Sequence, residues 1–203
     1  MSLKTKQYRA VAKFNEDKRV KKTNSFLKQI SIKPKFFRAK KNNINRFSQM
    51  TLKTNQFNLR SIRMNEVDVN KLFKKKIYTS FMCEVKDIYG DHGIIGLSTI
   101  KKLDNKIYFL ENFLMSCRIL GRNIEYWFLQ KMLQYLKNEK AKMLIIGFIP
   151  SERNEIAKQF IDSMKLKPLK NLKDHQILKY NNKERFFIKD IKNFNFTANK
   201  FYE

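Results

Sequence analysis

The stretch from Phe113 to Glu125 leaves this chain few ways to fold. Up to Met115 it reads as an apolar strand, and from Asn123 onward as an amphipathic helix. Between them stands a single glycine, Gly121. A strand that turns over one glycine into a long helix sends the chain back across its own sheet. The amides at such a turn can hold an anion such as phosphate. In the helix, Ile124, Trp127, Phe128, Met132, Tyr135 and Leu136 recur at helical spacing. Lys131 interrupts that stripe, and its stem can cover apolar surface while its ammonium stays in water. The run 143–149 that follows is continuously apolar, as a buried parallel strand reads after a crossover helix.

Three strand patterns precede the turn, at 77–85, 94–100 and 107–115. They are separated by turn residues at Gly90–Asp91–His92–Gly93 and at Asp104–Asn105. That is an antiparallel meander. Upstream, the alternation of Ile30, Ile32, Pro34 and Phe36 predicts a first strand, with Pro34 placing it at an edge or an end. Residues 43–50 have helical spacing, and 54–58 form a polar loop whose Phe57 is an anchor for the core. Asn65 can cap a helix through Phe73, with Glu66 and Asp68 in its first turn. Downstream, Pro150 and Ser151 end the parallel strand. A helix over 154–164 turns Ile156, Ala157, Phe160 and Ile161 inward, and strands at 176–180 and 185–188 close the sheet. The fold expected is a single α/β domain over 26–203: an antiparallel meander, a crossover helix, then a parallel strand, in a mixed sheet flanked by helices. Residues 1–25 are a basic N-terminal extension with a helical pattern.

Charge bears on partners more than on fold. Lys+Arg number 44 against 18 Asp+Glu, a formal +26 over 203 residues. That field attracts anions of every kind: nucleic acid, an acidic protein, a phosphorylated cofactor. The excess is mostly lysine, accompanied by abundant Asn, Ile and Phe, which is also how an AT-rich coding bias reads. No zinc spacing, RNA-binding strand motif or helix-turn-helix pattern accompanies it, so specific nucleic-acid binding is not expected. No run approaches the roughly 20 apolar residues a membrane span needs, and no apolar stretch follows the basic start as in a secretory signal. A cytoplasmic protein is expected. Cys83 and Cys117 lie in or beside apolar runs and read as buried thiols rather than a disulfide framework. Two distant histidines, His92 and His175, give no metal site.

The order of elements resembles the N-acetyltransferase (GNAT) fold, whose sheet splays near its middle. The residues narrow the likeness further. Thr54–Asn55–Gln56–Phe57–Asn58, the D-x-G-x-x-G pattern of Asp91, Gly93 and Gly96, and above all 113–125 are similar to the C-terminal acetyltransferase-like domain of FkbH-like proteins. The likeness continues through Gly147, Ile149, Pro150, Ser151 and Asn154. Members of that family usually carry a haloacid-dehalogenase-like domain ahead of this one. They resemble enzymes that move a glyceryl unit onto an acyl carrier protein. No D-x-D-x-T/V stretch is present, and 25 residues cannot hold that domain. The resemblance therefore implies a separate haloacid-dehalogenase-like polypeptide as a partner, or loss of that half.

Its implications for the site are specific. Residues 118–123 resemble the R/Q-x-x-G-x-G/A loop that holds a pyrophosphate. Coenzyme A, or the 4'-phosphopantetheine of a carrier protein, would lie on the backbone of Leu120, Gly121, Asn123 and Ile124, with Arg118 and Arg122 adding charge. Backbone donors near Leu114 and Met115 would face the thioester carbonyl. Asn154 matches the second cofactor-side motif. Where many acetyltransferases place a tyrosine that protonates the leaving thiolate, this chain has Ile161, which cannot. Thr54, Asn55, Gln56 and Asn58 can line the acceptor side or satisfy their own loop. Glu111 is a candidate general base or a partner for Arg118. Cys117, beside an arginine and ahead of a helix, is a candidate nucleophile or a structural thiol. Three readings stay open: an acyltransferase, a noncatalytic carrier-binding or scaffolding module, and a polyanion binder.

Overall fold

In a computed structural model the chain forms one mixed sheet with helices on both faces. The residues described are 3–20, 27–170, 177, 180 and 182–194. Helix α1 is Leu3–Val20. Strand β1 (Lys33–Arg38) leads to α2 (Ile44–Lys53), the two-residue strand β2 (Phe57–Asn58) and α3 (Glu66–Lys74). The meander follows: β3 (Tyr78–Asp87), β4 (Gly90–Lys102) and β5 (Ile107–Met115). Then come α4 (Ile124–Asn138), β6 (Met143–Phe148), α5 (Glu155–Ser163), β7 (Lys167–Pro168) and β8 (Arg185–Asp190). The order across the sheet is β1-β3-β4-β5-β6-β8-β7. β5 and β6 are parallel, and the other neighbouring pairs are antiparallel.

Local chemistry explains most boundaries. Pro34 lies on β1, the edge strand, where its missing N–H costs no ladder bond. At α3, Asn65 Oδ1 accepts from Asp68 N at 2.9 Å and Asp68 Oδ2 accepts from Asn65 N at 3.2 Å, a reciprocal cap. The α4 stripe packs as its spacing predicts: Ile124, Trp127, Phe128, Met132 and Leu136 are buried against the sheet. Lys131 spans the face of Trp127 at 5.7 Å. On α5, Ala157, Phe160 and Ile161 are buried on the i, i+3, i+4 stripe, and Ile156, at the edge of that stripe, is 41% exposed. Phe57 is buried as expected. The predicted strand at 176–180 lies largely outside the described residues.

The expected turn at 90–93 sits elsewhere. The reversal is made by Ile88 and Tyr89, and Gly90 already belongs to β4. Gly93, at φ +63°, pairs with Val85 while Asp91 pairs with Lys86, so His92 is an extra residue bulged from the ladder. The bulge turns His92 inward, and it is buried.

A second bulge shapes the middle of the sheet. Thr99 pairs with Asn112 and Ile100 with Leu110, leaving Glu111 unpaired on β5. β5 and β6 pair only up to Leu110 and Ile146. Beyond that, residues 57–60 lie between the two strands. β2 pairs with β5 at Phe57–Met115 and Asn58–Leu114. Leu59 N then donates to Phe113 O at 3.1 Å, and Ile149 N donates to Leu59 O at 2.8 Å. Arg60 enters last: its Nε donates to Glu184 Oε1 at 2.5 Å, and its Nη1 to Glu111 Oε1 at 2.8 Å and Glu111 O at 3.1 Å. Its guanidinium stands over the Phe109 ring at 4.8 Å.

Arg60 and Glu184 expose 3% and 0% of their side chains. Removing one member of such a pair strands the other charge in a medium that cannot solvate it. Arg60→Ala is expected to destabilise the protein by about 3 kcal/mol or more, the usual cost of breaking a buried pair. Urea denaturation checks this, and a loss below about 1 kcal/mol, the range of an exposed pair, would refute it.

Candidate functional site

The loop between β5 and α4 begins with a 3₁₀ turn, Cys117–Ile119. Its first amides are bonded within the protein. Ser116 N donates to Ile95 O at 2.7 Å, Ile119 N to Ser116 O at 3.1 Å and Leu120 N to Cys117 O at 3.4 Å. Gly121 has φ +82° and Asn123 sits in the left-handed region at φ 59°, which asparagine tolerates. The Asn123 side chain makes no cap bond to α4. Ile124 is buried in the core.

Above this turn lies α1. Phe14 and Ala10 are buried, and the Phe14 ring stacks on the Arg122 guanidinium at 3.7 Å. Arg122 was expected to reach outward to a phosphate. It is instead fully buried, donating from Nε to Asp87 Oδ2 at 3.0 Å and from Nη1 to Arg118 O at 3.0 Å. His92 Nε2 is 2.9 Å from the other oxygen of Asp87. Burial alone would raise the Asp87 pKa, but the adjacent His92 ring and the charge of Arg122 outweigh it and hold the carboxyl below its ordinary range. Lys18 Nζ donates to Gly121 O at 3.5 Å.

The structure places four further candidate groups differently. Glu111 does not stand free as a base; the bulge aims it at Arg60, and its carboxylate is held there. Leu114 and Met115 have no free backbone edge to offer a carbonyl, since β4 pairs on one side and β2 on the other. Asn154 is buried: it accepts from Ser151 N at 2.8 Å and donates to Ile149 O at 2.9 Å and Asn58 O at 3.1 Å. Asn58 is buried too, donating to Thr54 O at 3.2 Å and accepting from Ser61 N at 2.8 Å. Both asparagines fix the crossing segment rather than line a site.

The remaining predicted residues do converge. A cavity of about 620 Å³ opens at the end of β5. Ser116, Cys117 and Arg118 form one wall, and Thr54, Asn55 and Gln56 a second. α2 contributes Arg46, Gln49, Met50 and Lys53, and α1 contributes Gln7 and Tyr8. Cys117 is exposed here, whereas Cys83 is buried. Burial in the core pushes the Cys83 thiol well above its ordinary range, so it is inert. Arg46 is anchored by donating from Nε to Ile94 O at 3.2 Å. Arg118 donates from Nε to Ser116 Oγ at 3.2 Å and from Nη1 to Gln7 Oε1. Arg63 holds the polar loop by donating to Thr54 O at 3.2 Å and to Asn55 Oδ1.

No carboxylate is among the residues lining this cavity. Burial, and then the nearby charge of Arg118, lower the pKa of Arg46. Arg118 is lowered chiefly by burial. The two guanidiniums thus share a partly desolvated space, with the exposed Lys53 on the same lining, which favours a multiply charged anion. The cavity's size is that of a small-molecule site. Among the described residues no group of three His, Cys, Asp or Glu could hold a metal ion, and no helix is long and apolar enough to cross a membrane.

This arrangement of strands recurs widely among solved structures. A GNAT-family acetyltransferase from Staphylococcus aureus Mu50 matches 78% of this chain and 99% of its own, with a TM-score of 0.59 and 13% identity. The ribosomal-protein-S18-alanine N-acetyltransferase of Escherichia coli matches 78% and 94%, with a TM-score of 0.58 and 8% identity. The fold is that of the GNAT acetyltransferases. A GNAT-family acetyltransferase from Elizabethkingia anophelis with acetyl-CoA bound covers 77% of this chain and 97% of its own, with a TM-score of 0.51 and 12% identity. No family model and no curated protein matches the chain.

One buried group in the first turn of α4 gives the stability of the fold a pH dependence. Glu125, in the first turn of α4, has a buried Oε2 with no hydrogen-bond partner among the described residues. Burial pushes its carboxyl up from 4.5 to about 7, against small opposing effects of its own backbone and Lys18. The folded protein therefore keeps a proton that the unfolded chain releases. The resulting stabilisation is complete below the unfolded value of 4.5 and is lost as pH rises through about 7. Glu125→Gln should melt with the wild type near about pH 4, and above it by several degrees near about pH 8. Melting curves across that range check this, and coincident curves at the upper end would refute it.

Proposed function

We propose that the chain is an acyltransferase-like module that binds coenzyme A, or the 4'-phosphopantetheine of an acyl carrier protein, in the basic cavity at the end of β5. The observation that carries this reading is the meeting of Arg46, Lys53 and Arg118 in a cavity with no lining carboxylate. The donors there suit such a ligand. Guanidinium forks match phosphate oxygens, and Thr54, Asn55 and Gln56 suit the amides and hydroxyls of a pantetheine chain. An acidic carrier protein also complements the +26 charge. The likeness of the 54–58 and 113–125 motifs to FkbH-like proteins favours a role in acyl or glyceryl transfer alongside a separate haloacid-dehalogenase-like polypeptide.

If transfer occurs, Cys117 is the nucleophile the cavity offers. Its thiolate would attack the thioester carbonyl and form a new thioester. The pantetheine thiolate would leave and take a proton from water. A second reading, a noncatalytic carrier-binding module, is favoured by Glu111 being committed to Arg60. Ile161 favours it too, being buried in the core with no proton to donate.

Calorimetric titration with coenzyme A, holo-carrier and apo-carrier separates these. Binding of coenzyme A or holo-carrier is expected, with apo-carrier weaker. Arg46→Ala/Arg118→Ala should weaken binding at least ~10-fold, about 1.4 kcal/mol, with the fold intact. Unchanged affinity in that variant would overturn the proposal. Turnover of an acyl-thioester that Cys117→Ala abolishes marks a transferase, and tight binding without turnover marks the second reading.

A further inference from the structure

The end of the sheet away from the cavity carries lysine at the terminus of strand after strand. β1 ends at Arg38, and Ala39 N donates to Ser80 O at 2.8 Å, so Lys40 and Lys41 follow beside the start of β3. Lys74, Lys75 and Lys76 lead into that start. Tyr78 pairs with Lys101, and Lys102 N donates to Ile77 O at 2.8 Å, which sets the end of β4 next in line. Lys106 precedes β5, and its carbonyl accepts from Lys142 N at 2.7 Å, just before β6. Ile191 N donates to Lys142 O at 2.8 Å, which brings Lys192 to the same edge. The strands involved, β1, β3, β4, β5, β6 and β8, are neighbours in the sheet. At about 4.8 Å per strand the row is about 24 Å long. All of these lysines except Lys101 are exposed, and among the described residues none is in a salt bridge. The acids in these termini and their connections are Asp104, Glu139 and Asp190. Two of them are turned to the backbone: Asp104 Oδ1 accepts from Ile107 N at 2.8 Å, and Asp190 Oδ1 from Lys192 N at 2.8 Å. The opposite end is mixed in sign, with Lys86 paired to Asp91 at 2.9 Å and Glu152 following β6. Beside the β1 end of the row is a pocket of about 180 Å³. The half-buried rings of Phe73 and Tyr78 line it with Arg38, Lys40, Asn70 and Lys74, and no carboxylate does.

We infer that this end of the sheet is a second binding surface, for single-stranded nucleic acid. A line of ammonium groups follows a phosphate backbone, and the aromatic pocket beside it takes an unpaired base. At 3.4 Å or more per nucleotide, the row spans up to about seven of them. Lysines act as point charges rather than forks, and phosphate contacts carry no sequence information. The surface therefore binds the backbone without reading a sequence. A duplex keeps its bases stacked and offers none to the pocket. A membrane spreads its charge over a plane, of which a single row meets only a line. The surface lies at the other end of β5 from the basic cavity, so it does not depend on the ligand proposed there.

The test is fluorescence anisotropy of a labelled oligothymidylate of about 12 nucleotides with the full chain, from about 50 to 200 mM salt. Lys102→Glu/Lys142→Glu should weaken binding at least ~10-fold and make the salt slope shallower by about 1.4, the share of two single-strand phosphates. Lys13→Glu/Lys33→Glu makes the same change of charge on α1 and at the far end of β1, and should cost less than about 3-fold. Tyr78→Ala should cost about 5-fold or more with the slope unchanged, since stacking releases no counterions. Should that variant fail to fold, Tyr78→Leu, which keeps apolar bulk but no flat ring, decides. A duplex of the same length should bind more weakly than the single strand. Arg46→Ala/Arg118→Ala should bind the oligonucleotide as the unaltered chain does, so the two sites stand or fall separately. Equal losses in the two lysine pairs would mark diffuse attraction by the whole +26 charge and overturn the inference. So would a duplex bound as tightly as the single strand, or phosphatidylserine vesicles held through Lys102 and Lys142 while the oligonucleotide is not.

Discussion

The Arg60 guanidinium governs the middle of this molecule. It is buried between two carboxylates, Glu184 and Glu111, and over an aromatic ring. A guanidinium there is tolerable only when its donors are met. Meeting them requires that Glu111 leave the β5 ladder, which the bulge accomplishes, and that residues 57–60 cross to the β6 side. Gly147 completes the arrangement. A Cβ there would lie 2.8 Å from Glu184 Oε1 and 3.0 Å from the Arg60 side chain, so the strand passes the ion pair only because it carries no side chain at that point. The two bonded neighbours of segment 57–60 are thus separate strands that the segment itself keeps apart.

The consequence for the site follows through covalent continuity. Residues 54–56 enter the cavity wall immediately before the buried segment, so whatever fixes 57–60 fixes them. Asn154 grips Asn58 O, and Asn58 grips Thr54 O. Arg63 then holds Thr54 and Asn55 from the outside. Asparagines that looked like ligand contacts in the sequence thus act one step back, as the frame on which the polar loop is stretched. A second buried charge cluster, Arg122 with Asp87 and His92, does the same for the other wall. It ties the loop before α4 to the end of β3 and gives Phe14 a flat cationic face to lie on.

How far the sequence could be read depended on whether a feature has a period. The meander, the α4 stripe and the apolar β6 run repeat at spacings of two, four or none, and each stands close to where its pattern put it. β2 has only two residues, too few for any period, and its pairing with β5 is set by distant partners at Phe113 and Ile149. Arg60, Asp87 and Glu184 are likewise invisible in a chain with 44 basic residues, since a buried charge and a solvated one are written with the same letters. Gly93 is the one sequence mark near this cluster, and it belongs to the bulge that carries His92 to Asp87 rather than to the turn its composition suggests. The convergence of 54–56 with Cys117 and Arg118 came from motif likeness, not from spacing. The exposure of Cys117 was missed because its apolar neighbours point into the core while a 3₁₀ turn rotates the thiol away from them.

The overall charge and the cavity act over different distances, which decides what each can contribute. Lysines on the surface attract any anion, but salt screens them beyond a Debye length of about 8 Å at physiological ionic strength. They can raise the rate of encounter without choosing a ligand. Arg46 and Arg118 lie within one partly desolvated space, where screening is weaker and the fork geometry of each guanidinium matters. Their charges repel one another, and an anion reaching both would relieve that repulsion. On the proposed reading, selection rests with the cavity, and salt should erode the surface contribution well before it erodes that of Arg46 and Arg118.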